Sequence, residues 1–214
     1  MSVGADARDV PAVAVPRLTL YLRKLRELDG KGVIRVSSSD LAAMVGFNAA
    51  QIRKDLSYLG EFGTRGVGYE VSRLVDEIER CLGLDRSWGV VIVGAGPLGT
   101  ALARYRGFAE QGFRLVGVFD SAGKKIGTSY GDGVVRGMDD LESLCCREKV
   151  DIGMVTVPAA EAEATVARLC AAGVRAILNF APVKVHSVDE VLVRQVDLSS
   201  ELMSLTYYLH RGGG

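Results

Sequence analysis

Residues 90–99 read VVIVGAGPLG, and this stretch decides the fold. Four branched residues in a row predict a strand buried on both faces, as parallel sheets require. Gly94-Ala95-Gly96-Pro97-Leu98-Gly99 then follows GxGxxG, the pattern of a dinucleotide-binding turn. In that pattern the first glycine permits the tight turn, the second lets backbone approach a pyrophosphate, and the third lets helix pack on strand. Pro97 suits a first helical turn, and the spacing predicts a helix over 98–109. A second strand over 114–119 ends at Asp120, 21 residues past Gly99. That is close to the ~20 at which a carboxylate meets the adenine ribose. A carboxylate there repels a 2′-phosphate and predicts NAD(H) over NADP(H), although Lys124 and Lys125 lie nearby and act against that preference.

Downstream, strands are expected over 134–135, 151–157, 175–178 and 190–196, with helices over 139–148 and 160–172. Such alternation predicts an α/β unit with a parallel sheet and right-handed crossovers. Ligands bind beyond the carboxyl ends of such strands. That places Thr156 and Pro158, and Asn179 and Phe180, near a nicotinamide ring. Pro158, Phe180 and Pro182 are expected to wall a pocket that disfavours the cationic, oxidised ring, because burying an unpaired charge is costly. Neither segment carries a His, Lys or carboxylate suited to hydride chemistry. Tyr105, on the expected helix after the glycine loop, is the one nearby proton donor, or simply a packing residue. A last helix over 197–210 carries Leu198, Leu202, Leu205 and Leu209 on one side. Such a face suits a partner subunit, and a two-fold dimer suits a reader of inverted repeats.

Upstream of the dinucleotide pattern lies a different kind of segment. Leu18, Leu22, Leu25 and Leu28 predict a helix over 17–28, stopped by Asp29-Gly30 and Gly32. A short strand is expected over 33–36. Ser37 and Asp40 have capping-box spacing and open a helix that Gly46 ends. Asn48 and Gln51 repeat that spacing before a third helix over 49–59. Helix, tight turn and helix form the helix-turn-helix layout. On the third helix Ile52, Leu56 and Leu59 share one side. The other side shows Lys54, Ser57 and Tyr58, flanked by Gln51 and Arg53, which suits a DNA major groove or plain solvent. Residues 61–71, EFGTRGVGYEV, predict two short strands with a glycine-rich tip. Arg65 with Gly66 at that tip could enter a narrow minor groove. A ribbon just after a reader helix makes the motif a winged one. A further amphipathic helix over 73–84 closes this part.

The expected organisation is therefore a winged-helix (helix-turn-helix) DNA-binding domain over 1–85, a Rossmann-type NAD(H)-binding domain over 86–196, and a C-terminal helix and tail over 197–214. Net charge is zero over 214 residues, which argues against general coating of nucleic acid. Any DNA contact must come from local patches. No apolar run approaches a membrane span, and 1–16 lacks a secretory pattern, so the expected compartment is the cytoplasm, without membrane. Cys81, Cys145, Cys146 and Cys170 show no CxxC spacing, and His186 and His210 stand alone, so no metal is expected.

These stretches together resemble the Rex family of bacterial redox-sensing repressors over 17–210. The most specific parts are QIRKDLSYLGEFGTRGVGY (51–69), GAGPLG (94–99), ILNFAPV (177–183) and VDLSSEL (196–202). The resemblance implies a homodimer with exchanged C-terminal helices. It implies binding to palindromic, A/T-rich operator DNA when NADH/NAD+ is low, and release by NADH. The implied targets are respiratory and NADH-reoxidation genes. It makes Lys54 the groove-reading lysine and Arg65 the wing arginine. Arg23, Tyr105 and Asp197 become a polar trio that couples cofactor state to the DNA domain. Two other readings of the residues stay open at this point: a small NAD-dependent dehydrogenase, and a module that binds coenzyme A.

Overall fold

The computed structural model describes residues 10–61, 63–64, 67–185 and 191–212. The chain divides into two compact units, Met1–Arg86 and Ser87–Gly214.

The first unit opens with α1 (Val15–Gly30), which buries Leu18, Tyr21, Leu22, Leu25 and Leu28. It runs past the expected stop at Asp29. Gly32, at φ +71°, ends the turn instead, its N–H donating to the Asp29 carbonyl. After β1 (Arg35–Val36) comes α2 (Ser38–Val45), capped by the Ser37 hydroxyl, which accepts from the Asp40 N–H at 3.1 Å. The Asp40 carboxylate answers by accepting from that hydroxyl at 2.6 Å. Asn48 caps α3 (Ala49–Ser57) in the same way, accepting from the Gln51 N–H at 2.8 Å. Each such cap is worth ~1 kcal/mol.

β2 (Gly63–Thr64) and β3 (Gly68–Glu70) follow, and β1 and β2 flank β3 antiparallel. At Gly68 a side chain is excluded: φ is +86° and a Cβ would lie 2.5 Å from the Val36 carbonyl oxygen. The expected wing residues Arg65 and Gly66 lie outside the described residues. α4 (Val71–Leu82) packs Leu74, Val75 and Ile78 onto a core shared with Leu18, Leu25, Ile52 and Leu56.

The second unit is a six-stranded sheet, and each of its pairings is parallel. In chain order its strands are β4 (Trp88–Val93), β5 (Phe113–Asp120), β6 (Arg136–Gly137), β7 (Val150–Val155), β8 (Ala176–Asn179) and β9 (Leu192–Gln195). Their spatial order, β6-β5-β4-β7-β8-β9, is the doubly wound 3-2-1-4-5-6. The order reverses between β4 and β7, so a crevice is dictated at the carboxyl ends of those two strands. β4 feeds both layers: Val91 and Val93 pack with α7 (Leu141–Glu148) and α8 (Ala159–Ala171). Val90 and Ile92 pack on the opposite face.

The structure corrects two expectations. The helix foreseen over 98–109 is two pieces, α5 (Pro97–Ala103) and α6 (Gly107–Glu110). The Tyr105 N–H closes on the Leu102 carbonyl, three residues back, which ends α5. The Tyr105 ring then fills the space a Cβ at Gly107 would need, 2.6 Å away, and meets Phe108 edge-on at 5.0 Å. Tyr105 therefore stands in a connector. The third strand lies at 136–137, two residues later than 134–135, because Val134 is held in a local bridge to Ser129. α9 (Leu198–Gly212) ends the described chain with Leu198, Leu202, Leu205 and Leu209 all more than half exposed.

Candidate cofactor crevice and reader helix

The glycine loop leaves β4 at Gly94, whose φ is +107° and whose Cβ would stand 2.6 Å from the Thr156 carbonyl oxygen. Gly99 is equally constrained, its Cβ position being 1.9 Å from the Gly94 oxygen. Gly96 differs. Its backbone is extended, and a Cβ there would meet no heavy atom within 4 Å. The protein's own packing does not require a glycine at 96, whereas a pyrophosphate approaching the backbone does. Pro97 and Leu98 follow it at the open start of α5.

Asp120 ends β5 and is 5% exposed. Its Oδ2 accepts from the Ala95 N–H at 2.7 Å and from Lys125 Nζ at 2.7 Å, and its Oδ1 from the Ala122 N–H at 2.8 Å. Burial alone would raise this carboxyl's pKa. Lys125 and the two N–H groups outweigh it and hold the pKa below the usual range. Lys125 is thus more than a neighbour of the acid: it forms an ion pair with it.

A cavity of about 570 Å³ joins Gly94, Gly96, Asp120, Lys125, Thr156 and Pro158. The Thr156 hydroxyl donates to the carbonyls of Val93 and Gly94, so it staples the two strand ends and shapes the wall. Three expected cofactor residues are elsewhere. Asn179 is fully buried: its amide donates to Val183 O and Gln195 Oε1 while its Oδ1 accepts from the Ala181 N–H. That amide is spent on the turn after β8. Phe180 packs on the opposite face of the sheet. The wall of Pro158, Phe180 and Pro182 therefore does not form within this unit. Tyr105, 61% exposed, lines a separate cavity of about 620 Å³ on that opposite face, with Leu102, Phe108 and Tyr130.

Of the coupling trio, Asp197 caps α9, accepting from the N–H groups of Ser199 and Ser200 and from the Ser200 hydroxyl. Ser200 first, then Ser199, keeps its pKa below the ordinary carboxylate value. Arg23 lies exposed on α1. Within the second unit no hydrogen bond joins Tyr105 to Asp197 among the described residues.

In the first unit α3 exposes Arg53, Lys54 and Ser57, half-buries Gln51 and Tyr58, and buries Ile52 and Leu56. Ser57 Oγ donates to the Lys54 carbonyl, and Arg53 Nη1 to Ser38 Oγ at 3.1 Å. Among the described residues neither Arg53 nor Lys54 has an ion-pair partner, so this face presents two uncompensated positive charges. Half-buried Gln51 turns its amide inward, donating to Asp55 Oδ1 at 2.8 Å. Asp55 was not singled out from sequence, yet it is 0% exposed and takes two bonds from Arg17 and one from Tyr21. The signal was there, because an acid at 55 interrupts the buried stripe of Ile52, Leu56 and Leu59.

Known proteins carry the same two parts. The family model described as "CoA binding domain" matches residues 85–183, and "Putative DNA-binding protein N-terminus" matches 9–57. A protein of Carboxydothermus hydrogenoformans named redox-sensing transcriptional repressor Rex is 48% identical, over 94% of this chain and 97% of its own. A repressor called RSP, solved with β-NAD+ and operator DNA, superposes with a TM-score of 0.89 at 36% identity, covering 99% of this chain and 95% of that one. The same repressor solved with β-NADH gives 0.83 at 35% identity, covering 99% and 97%. With identity near one half sustained along almost the full length of both proteins, the chain belongs to the Rex family of redox-sensing transcriptional repressors.

Proposed function

We propose that this protein is a homodimeric repressor that holds palindromic operator DNA when NADH/NAD+ is low and leaves it when NADH binds. The observation that carries the reading is the pairing of two features in one chain. One is a helix face whose two cations, Arg53 and Lys54, have no ion-pair partner among the described residues, on a winged unit. The other is a 3-2-1-4-5-6 sheet whose Gly96 opens onto free space beside a buried Asp120. We divide the labour accordingly: 1–85 reads DNA, 86–196 binds NAD(H), and 197–214 engages a second copy through the exposed leucines of α9. The protein acts in the cytoplasm on respiratory and NADH-reoxidising genes.

On the DNA side, Lys54 reads base edges, and Arg53, Ser57 and Tyr58 contact bases or backbone. Arg65 and Gly66 complete the contact from the wing. On the cofactor side, Gly94, Ala95, Gly96, Pro97, Leu98 and Gly99 cradle the pyrophosphate. Asp120 takes ribose hydroxyls, and Thr156 and Pro158 close the cavity wall. When bound, the coenzyme supplies a redox-dependent charge, its nicotinamide ring being cationic when oxidised and neutral when reduced. Arg23, Tyr105 and Asp197 convert that difference into a change in the DNA unit. Only contacts that differ between the two states shift the equilibrium, and a coupling of ~1–3 kcal/mol is the usual range.

The family model named for coenzyme A raises a specific rival, since the same turn cradles other nucleotides. Coenzyme A carries a phosphate on its adenine ribose, and a buried carboxylate at Asp120 opposes it. A labelled palindromic duplex titrated with protein, then with NADH, NAD+ or coenzyme A, separates the readings. NADH alone should release the duplex. Release by coenzyme A, or the absence of duplex binding, would overturn the proposal.

A further inference from the structure

The buried acid of the reader helix has no place in the function as stated. Asp55 faces inward from α3, and its carboxylate receives four hydrogen bonds. Arg17 Nε and Nη2 donate at 2.7 and 2.8 Å, the Tyr21 hydroxyl at 2.8 Å, and Gln51 Nε2 at 2.8 Å. Arg17 and Tyr21 are one turn apart on α1, and Gln51 and Asp55 one turn apart on α3. Residues so spaced share a helix face. One turn of α1 is therefore bolted to one turn of α3. The Tyr21 ring is itself fully buried and meets Phe47, in the turn between α2 and α3, edge-on at 6.0 Å.

Stability does not call for such a device. Well-packed apolar residues of similar volume often replace a buried ion pair at no cost, or with a gain. What directional hydrogen bonds add to apolar packing is an angular constraint. A fork of two parallel N–H···O bonds, with a third and fourth donor on the same carboxylate, admits one rotational setting of α3. The setting matters for recognition. Lys54 is the next residue to Asp55, and its ammonium stands ~8 Å from the helix axis. A roll of about 15° would move it by about 2 Å, more than the 2.7–3.2 Å window of a hydrogen bond tolerates.

We propose that Asp55, with Arg17 and Tyr21, is a positioning residue for operator recognition: it fixes the roll of the reader helix against α1, the helix that also bears Arg23. Arg23 lies six residues beyond Arg17, about 9 Å along the same rigid rod. A displacement of α1 felt at Arg23 is thereby delivered to Lys54 through a directional clamp as well as through the packed core. This inference rests on the assignment of α3 as the DNA reader and of Arg23 as the coupling residue.

The test compares wild type with an apolar clamp, Arg17→Met with Tyr21→Phe and Asp55→Leu, in the full-length protein. The probe is the duplex that wild type enriches from a random pool, with an unrelated duplex of equal length as reference. Thermal midpoint and NADH fluorescence titration report folding and the second unit. The apolar clamp should melt no lower than wild type and bind NADH equally. Its preference for the enriched duplex should fall at least tenfold, and its affinity for the unrelated duplex should stay within twofold. A folded apolar clamp that keeps the wild-type preference would overturn the proposal. Tyr21→Phe alone, which keeps the Arg17–Asp55 fork, decides the matter if the triple variant does not fold. It should lose about threefold in preference at unchanged affinity for unrelated DNA, and a wild-type preference sinks the idea. If wild type enriches no duplex at all, the failure belongs to the DNA-reader assignment and not to the clamp.

Discussion

Gly96→Ala separates what the fold needs from what the coenzyme needs. At Gly94 and Gly99 an added methyl would strike backbone at 2.6 and 1.9 Å, and Gly94 also has φ +107°. Substitution at either costs stability, typically ~1–3 kcal/mol for overpacking and more where backbone must move. At Gly96 the backbone is extended and the space is empty. Alanine there is free of strain and should stabilise by ~0.4–1 kcal/mol, because it restricts the unfolded chain. Yet the methyl would occupy the approach to the pyrophosphate. Losing one hydrogen bond to a charged group costs about 1.5–3 kcal/mol, so NADH should bind roughly 10- to 150-fold more weakly. Three measurements on one preparation check this: thermal midpoint, NADH fluorescence titration, and anisotropy of a bound duplex during NADH addition. The expected result is an equal or higher midpoint, weakened NADH binding, and release of the duplex only at roughly 10- to 150-fold more NADH. Wild-type NADH affinity in Gly96→Ala would refute the placement of the pyrophosphate.

Other perturbations test the remaining parts. Lys54→Ala should reduce preference for the cognate duplex by ~1–3 kcal/mol while leaving affinity for unrelated DNA nearly unchanged, as read in paired anisotropy titrations. Lys125→Ala removes the cation paired with Asp120, so the carboxylate should repel a 2′-phosphate more strongly. NADPH should then lose up to about fivefold relative to NADH in competition titrations, the pair being partly exposed. Asp120→Ala should weaken NADH and NAD+ by the same factor, leaving their ratio unchanged in parallel titrations. In acid, burial would favour the neutral Asp55, but Arg17, Tyr21 and Gln51 hold its pKa below the ordinary value. Its stabilisation is thus complete above the unfolded carboxyl pKa of ~3.9 and is lost as pH falls through the lower folded value. Melting of the reader unit should therefore steepen in acid below about pH 4, and the apolar clamp should remove that dependence.

Much of this is legible in the amino-acid sequence. The run at 90–93, the glycine turn and Asp120 lie close together in sequence, so local chemistry alone fixes them. So do the caps at Ser37 and Asn48. What failed depended on distant partners. The stretch 98–109, LGTALARYRGFA, reads as one helix in sequence and does not show that the Tyr105 ring seats itself over Gly107 and ends the helix. Asn179 looked like a polar group aimed at a ligand because it ends a strand. Gln195 and Val183, which claim its amide, come from segments 16 and 4 residues later. Asp55 needed Arg17 and Tyr21, 38 and 34 residues away, to become a clamp and not a solvated charge.

The misplaced residues share a cause that bears on how sensing works. The cavity gathers Gly94, Gly96, Asp120 and Lys125, which on the proposed reading meet the adenosine and pyrophosphate, the part common to NAD+ and NADH. Contacts to a common part raise affinity for both forms alike, and a ligand held equally in two states shifts nothing. Discrimination has to come from groups outside that cavity. Those are the groups the second unit leaves apart from it: Tyr105 in its connector, Phe180 on the far face, and Asp197 at the head of an α9 whose leucines face solvent. On the proposed reading a lone unit holds the coenzyme but lacks the contacts that read its oxidation state. A site that reads it needs α9 covered, and an exposed leucine face that recurs on every copy is covered most directly by a second copy. On this argument dimerisation is part of the sensor itself: it brings in the contacts that distinguish a neutral ring from a charged one.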